Sequence, residues 1–285
     1  MIQSSLVLEG GAMRGVFTSG ALDFLMKKKV EFSHVIGVSA GACNASGYLA
    51  NQIGHSRECW IHENDNNSFY YNLPQMINNK SLLDMDMIFE RYPNEIYPFD
   101  YKTFFGSAIN CELVVTNCET GCAEYKTENR DKKRLMDICR ASCSMPLVTP
   151  MVQIDGMNYL DGGIADSIPI KRALEYGNDK IVLILTRRKG YRKSYPRKAA
   201  VRLYQRRYKK YPCLVKALIT RPLVYNKTIA EVERLEDEGK IFVLRPEIPT
   251  IKRLEKDYEV LMNFYQHGYS LMEREFEKLR QFLEE

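Results

Sequence analysis

Residues 34–43 read HVIGVSAGAC, and the serine at their centre, Ser39, stands between Gly37 and Gly41. A Gly-x-Ser-x-Gly run between a strand and a helix has a mechanical reason. The serine sits on a turn so tight that the positions two before and two after it have no room for side chains. Val38 closes an apolar run and AGACNA opens a small-residue helix, whose first amides favour negative charge near the hydroxyl. A second stretch, EGGAMRG at residues 9–15, offers the other half of acyl-transfer chemistry. The amides of Gly10, Gly11 and Ala12 are candidate oxyanion donors, each such donor contributing about 2.7–4 kcal/mol, and Arg14 adds a fixed cation. Only an amide is needed at position 12, so alanine is acceptable there with a negative φ.

A nucleophilic serine needs a proton acceptor, and the chain has four histidines. His34 lies five residues before Ser39 on an extended strand, roughly 16 Å away at about 3.3 Å per residue. His55 and His62 precede every late aspartate, against the Ser–Asp–His chain order of α/β-type triads. His267 has the right order but falls on the polar stripe of a C-terminal helix, where a solvated side chain is expected. A carboxylate is the remaining choice. Asp161 in YLDGG ends a strand at a glycine turn, and a dry pocket raises a carboxylate's basicity. A plain turn aspartate is the competing reading, since Asp155-Gly156 shows the same pairing a few residues earlier.

Other chemistries fit less well. As a dinucleotide loop, EGGAMRG has Ala12 where the second glycine belongs, and Glu31 as the ribose acid leaves GVSAG unexplained. No Gly-Lys-Ser/Thr phosphate loop is present. The eight cysteines form no Cys-x-x-Cys pair, and Cys118/Cys122 and Cys139/Cys143 have no histidine nearby. They read as reduced, apolar core thiols, and no metal or cofactor is expected.

The elements that must hold these residues alternate. SLVLE and HVIGV read as strands, each followed through a glycine turn by a helix, which argues for an α/β sheet with parallel strands at its centre. Residues 54–106 read as short helices around Trp60 and LLDMDMIFERY. ELVVTNC and CAEYKTE form a strand pair, KKRLMDICRASCSM a helix that stops before Pro146, and MVQIDGMNYLDGG a hairpin around Asp155-Gly156. Ser167 with Pro169 starts a helix closed by Gly177, and KIVLILT and KIFVLRP are further strands. Leu254, Tyr258, Leu261, Tyr265, Tyr269, Met272, Phe276, Leu279 and Leu283 make one stripe of a long final helix expected to pack along the core.

Taken in order, EGGAMRG, GVSAG and DGG resemble the patatin-like phospholipase family, and ASCSMP resembles its small-residue segment ending in proline. The resemblance covers about residues 4–186. It implies a three-layer α/β sandwich with a mainly parallel central sheet, here followed by a C-terminal helical extension. It also implies a Ser–Asp dyad without histidine: Ser39 the nucleophile, Asp161 the base, Gly10, Gly11 and Ala12 the oxyanion loop with Arg14, and Gly37 and Gly41 the elbow. Glu9 replaces the aspartate often found before the loop. The implied reaction is metal-independent hydrolysis of a lipid carboxylic ester through an acyl-enzyme. The corresponding division is a catalytic core at 1–186, a basic helical segment at 187–239, and a return strand with the long helix at 240–285.

Charge separates that basic segment from the body. Residues 187–221 hold 14 Lys/Arg and no acid, leaving 27 basic and 36 acidic residues elsewhere. With tyrosines interleaved, the run suits an anionic membrane surface; a solvated helix and a nucleic-acid patch are the alternatives, and no nucleic acid is expected. No apolar run approaches the roughly 18 residues of a membrane span and the first residues lack a signal-peptide build, so a cytoplasmic protein peripheral to the inner membrane face is expected. Two rival functions stay open: a silent lipid- or nucleotide-phosphate-binding protein with a structural Ser39, and a triad hydrolase using His267.

Overall fold

A computed structural model describes all residues except 64–67, 72, 80 and 285, so one part of the 54–106 region lies outside it. In chain order the elements are β1 (Ile2–Leu8), α1 (Gly15–Lys27), β2 (Phe32–Val38), α2 (Ala40–Leu49), α3 (His55–Trp60) and α4 (Leu73–Asn79). A π-helical segment (Met87–Ile96) and α5 (Tyr101–Gly106) precede β3 (Asn110–Asn117), β4 (Ala123–Lys126), α6 (Lys132–Ser142), β5 (Val152–Ile154) and β6 (Met157–Asp161). Then come α7 (Ile170–Tyr176), β7 (Lys180–Ile184), α8 (Lys198–Arg207), α9 (Pro212–Asp237), β8 (Phe242–Leu244) and α10 (Tyr258–Glu284).

The strands form one sheet in the order β5-β6-β3-β2-β1-β7-β8, with β4 paired to β3 outside that path. β3, β2, β1, β7 and β8 run parallel, and β4, β5 and β6 are antiparallel to their partners. Alternate residues of the central strands face opposite cores. Leu6, Leu8, Val35, Leu113, Val182 and Ile184 pack under α1, α2, α6 and α10, whereas Val7, Ile36, Val38, Val114 and Leu183 pack under α7 and α9. Burial of both sheet faces explains why these strands are apolar runs without polar alternation.

One register detail positions the site. Val114 pairs with Val38 and Tyr125, and the next residue, Val115, pairs with Glu124 and Asp161. β4 therefore occupies one edge of β3, while β2 and β6 follow one another along the other. The end of β2 and the end of β6 meet at that junction, which brings Ser39 and Asp161 together.

The hairpin at Asp155-Gly156 has the positive φ values (51° and 80°) that its turn requires. Two local expectations need correction. Pro169, not Ser167, is the cap of α7, because the Ser167 hydroxyl turns back to donate to the Gly163 carbonyl at 2.7 Å. Leu254 does not belong to the final helix: it lies in the loop before α10 and lines the cavity at Ser39. α10 packs on α1, with Phe17–Phe264 and Phe24–Phe276 ring centroids 5.7 and 5.3 Å apart. Among the described residues no helix is long and apolar enough to cross a membrane.

Candidate active site

Ser39 caps α2 with φ 56° and ψ −125°, a conformation that costs a non-glycine residue about 1–3 kcal/mol and persists only where the surroundings impose it. The crowding of the elbow imposes it here. A Cβ at Gly37 would stand 2.4 Å from the Gly41 carbonyl oxygen, and one at Gly41 would stand 2.4 Å from that of Leu8. The strained turn lifts the hydroxyl toward β6, where Ser39 Oγ donates to Asp161 Oδ2 at 2.7 Å. Asp161 Oδ1 accepts from the Gly163 amide at 2.8 Å, and both residues are buried.

The segment ASCSMP holds both. Ser142 Oγ accepts from the Ser39 amide at 2.8 Å and donates to the Val114 carbonyl at 2.6 Å. Two residues on, the Ser144 carbonyl accepts from the Asp161 amide at 2.8 Å.

The glycine loop reaches the elbow, for a Cβ at Gly10 would meet Ser39 Cβ at 2.8 Å. Among the described residues the amides of Gly10, Gly11 and Ala12 make no hydrogen bond, and all three residues line the cavity beside Ser39. Ala12 has φ 49°, not the negative value expected. The chain passes there from Gly11, extended at φ −174°, into the short turn Ala12–Arg14, and the change of direction takes a left-handed residue. Arg14 is buried as well as fixed, with Nε donating to the Gly11 carbonyl at 3.1 Å. Glu9 ties the loop down: its carboxylate accepts from the Thr186 amide at 2.7 Å and from the Tyr225 hydroxyl at 3.0 Å.

All four histidines are committed elsewhere. His34 bonds Glu112 Oε2 at 3.1 Å and Ser5 at 3.0 Å, His55 the Tyr97 carbonyl at 2.9 Å, and His62 the Tyr92 hydroxyl at 2.9 Å. His267 is half-buried rather than solvated: Nε2 accepts from the Glu247 amide at 3.0 Å, and the ring lies 5.6 Å from that of Phe17. None of the four lines the cavities at Ser39.

Two spaces of opposite character open from the serine. One, about 340 Å³, is lined by the glycine loop, Asp161 and several charged side chains. The other, about 40 Å³, is walled by Met13, Trp60, Phe69, Leu83, Ile88 and Phe89. Trp60, Ile88 and Phe89 also border a further apolar space of about 60 Å³.

The basic segment is split rather than uniformly exposed. Arg187, Lys193 and Arg221 line the larger cavity, together with Arg253. Arg192 pairs with Glu233 at 2.5 Å and Lys189 with Asp237 at 3.2 Å, while Asn226 brackets the Lys193 backbone at 2.7 and 3.0 Å. These bonds fasten the loop before α8 onto α9. Sequence reasoning missed Lys193, Arg221 and Arg253 as cavity residues, for nothing separates them from neighbouring surface cations until the chain folds. Ser142 had a signal in ASCSMP, but its role needed the contact.

The patatin-like phospholipase family model matches residues 6–174, more than half of the chain, and the protein belongs to that family. A domain of unknown function, DUF6363, matches residues 211–284. Among curated relatives, an uncharacterized protein of Escherichia coli strain K12, YjjU, is 32% identical over 187 residues, covering 64% of this chain and 51% of that protein. A probable lipid hydrolase, 463L of Invertebrate iridescent virus 6, is 26% identical over 193 residues, covering 62% of this chain and 65% of that protein. The match thus spans about half the length of the first and just under two thirds of the second. The crystal structure of VipD from Legionella pneumophila superposes with a TM-score of 0.44 at 13% identity, over 99% of this chain and 67% of that one.

Proposed function

We propose that the protein is a serine-dependent lipid acyl hydrolase that works without histidine. Ser39 Oγ attacks the acyl carbonyl while Asp161 Oδ2 takes its proton, and the alcohol leaves with that proton. Water activated by the same carboxylate then releases the fatty acid from Ser39. The amides of Gly10, Gly11 and Ala12 receive the oxyanion, and the apolar space beside Ser39 receives the first carbons of the acyl chain. The observation that carries this reading is the 2.7 Å bond from Ser39 Oγ to Asp161 Oδ2 on a strained elbow in a cavity. A lipid hydrolase among the relatives is consistent with it.

The remaining cations of the basic segment, on and around α8, belong to the same proposal. Arg197, Lys198, Arg202, Arg206, Lys209 and Lys210 are exposed and, among the described residues, form no ion pair. Tyr195 and Leu203 are 64% and 49% exposed beside them, and Tyr204 of the same helix lines the cavity. This face would meet an anionic lipid surface with the cavity mouth next to it, each cation near the surface contributing about 1 kcal/mol.

The test combines turnover with labelling. Wild type is expected to hydrolyse p-nitrophenyl butyrate in the presence of chelator and to react with a fluorophosphonate. Ser39→Ala should do neither, and a folded Asp161→Asn should lose about 10²–10⁴-fold in kcat. A folded wild type that neither turns over nor labels would move the silent binding protein ahead.

A further inference from the structure

The larger cavity carries more charge than ester hydrolysis uses. Arg14, Arg187, Lys193, Arg221 and Arg253 line it against only two carboxylates, Glu9 and Asp161. Both carboxylates are occupied, Asp161 by Ser39 and Gly163, and Glu9 by Thr186 and Tyr225. Among the described residues none of the five cations is in an ion pair. Lys193 Nζ donates to the Ser167 hydroxyl at 3.0 Å and stands 3.6 Å over the Tyr225 ring, and Arg221 Nε is buried with no hydrogen-bond partner among the described residues. Arg221 comes close to the reacting carboxylate: its Nη2 would lie 3.2 Å from a Cβ placed on Gly163, two residues after Asp161.

Arg14 is buried, Arg187, Lys193 and Arg221 are part-buried, and Arg253 is exposed. Cations that share one cavity without ion-pair partners among the described residues repel one another unless an anion arrives between them. Burial and mutual repulsion lower the proton affinity of three of them. Burial first, then repulsion from Arg187 and Arg253, pulls Arg14 down to about 10. Burial and its cationic neighbours likewise lower Lys193 and Arg221. One cation would suffice to accompany Asp161; five do not serve that purpose. The apolar space on the other side of Ser39 takes no part in this charge. A molecule bound across Ser39 must therefore be apolar on its acyl side and strongly anionic on its alcohol side.

We propose that the chamber lined by Lys193, Arg221 and Arg253 is a phosphate subsite, and that the substrate is a fatty-acyl ester of an alcohol bearing a terminal phosphate monoester, such as an acylglycerol phosphate. The inference rests on the hydrolase reading of Ser39. A phosphate monoester brings up to two charges and three terminal oxygens, which several cations can share and which guanidinium groups bind in bidentate fashion. A zwitterionic head group cancels most of that charge, and a carboxylate brings only one. Arg221 and Arg253 lie within the stretch matched by the domain of unknown function, and Arg187 and Lys193 lie between the two family matches. The C-terminal part of the chain thereby acquires a role: it forms the wall that selects the leaving alcohol.

The test uses the full chain and three substrates with one oleoyl group, in the same mixed micelles: 1-oleoylglycerol 3-phosphate, 1-oleoylglycerol and 1-oleoylglycerophosphocholine. The quantity read is the ratio of kcat/KM for the phosphate ester to that for the neutral ester. Wild type is expected to favour the phosphate ester by at least about tenfold. Lys193→Gln and Arg221→Gln should each cut the ratio several-fold, and Arg221→Lys should restore part of it. A wild-type ratio near one, or a ratio unchanged in both glutamine variants, overturns the proposal. Melting temperatures with glycerol 3-phosphate and with inorganic phosphate, at matched ionic strength, provide an arm independent of turnover. If no ester is hydrolysed, yet glycerol 3-phosphate stabilises wild type and not Arg221→Gln, the hydrolase reading fails and the subsite stands. If inorganic phosphate stabilises equally while the ratio is one, the site takes a free anion and the substrate assignment is overturned.

Discussion

Ser142 stands directly behind Ser39: its hydroxyl oxygen accepts from the Ser39 amide at 2.8 Å while its proton goes to the Val114 carbonyl at 2.6 Å. The strained elbow, the middle of β3 and the last residue of α6 thus meet at one buried side chain. Replacing Ser142 by alanine strands a buried amide and reduces the partners of a buried carbonyl, each unmet group costing about 1–3 kcal/mol. Ser142→Ala is expected to lower stability by about 2 kcal/mol in urea unfolding. It should also reduce kcat by about tenfold with little change in KM, because Oγ loses its position more than the cavity loses its shape.

His267 separates a catalytic from a packing role by pH. Burial lowers its proton affinity, the charge of Glu247 pulls the other way, and Arg274 lowers it again. Its Nε2 also accepts the Glu247 amide, a bond that protonation removes. The native state therefore binds this proton less readily than the unfolded chain does. The stabilisation is complete above the ordinary histidine range near pH 6.5 and is lost as the pH falls below it. Wild type should lose more melting temperature between pH 7.5 and 5.5 than His267→Gln. At pH 7.5 the variant should hydrolyse p-nitrophenyl butyrate within about twofold of wild type; a loss of 10²-fold or more would reopen the triad.

The strand–helix alternation and the order of the three motifs were legible because each rests on local chemistry: apolar runs, glycine turns and small residues at an elbow. What was not legible depends on contacts distant in sequence. Asp161 meets Ser39 because β3 exchanges β2 for β6 between Val114 and Val115, a register with no local signature. Lys193 looks like any other member of a cationic run until Asn226 and Glu233 fasten its loop to α9, the helix that carries Arg221. Ala12 misled for another reason. Alanine is compatible with either sign of φ at modest cost, so its identity does not report the left-handed turn that a glycine there would have announced.

The contact between α1 and α10 turns on two glycines that a periodicity analysis passes over. A Cβ at Gly268 would stand 2.0 Å from the Phe17 carbonyl oxygen, and one at Gly20 would stand 2.1 Å from that of Tyr265. The helices touch backbone to backbone there, so even a methyl group forces them apart and loosens the Phe17–Phe264 packing. Gly268→Ala should destabilise by about 1–3 kcal/mol despite alanine's better helix propensity, which alone would add up to about 1 kcal/mol. A rise in melting temperature would show that the helices are not in close contact.

Chain-length preference should be set on the far side of Ser39. The first apolar space is about 40 Å³, little more than the ~30 Å³ of one water in the liquid, so a long acyl chain must part the side chains that wall it. Trp60, Ile88 and Phe89 border both this space and the next apolar space of about 60 Å³, and Ile88 is the one aliphatic side chain of the three. Each methylene that finds room there contributes about 0.8 kcal/mol, so blocking the passage weighs on long chains and spares short ones. Ile88→Phe should lower the ratio of kcat/KM for oleoyl over butyryl esters by at least tenfold, and Ile88→Ala should raise it or leave it high. Equal effects on both chain lengths would mean that the acyl group leaves the site by another route, and the wall between Trp60 and Phe89 would then be core packing alone.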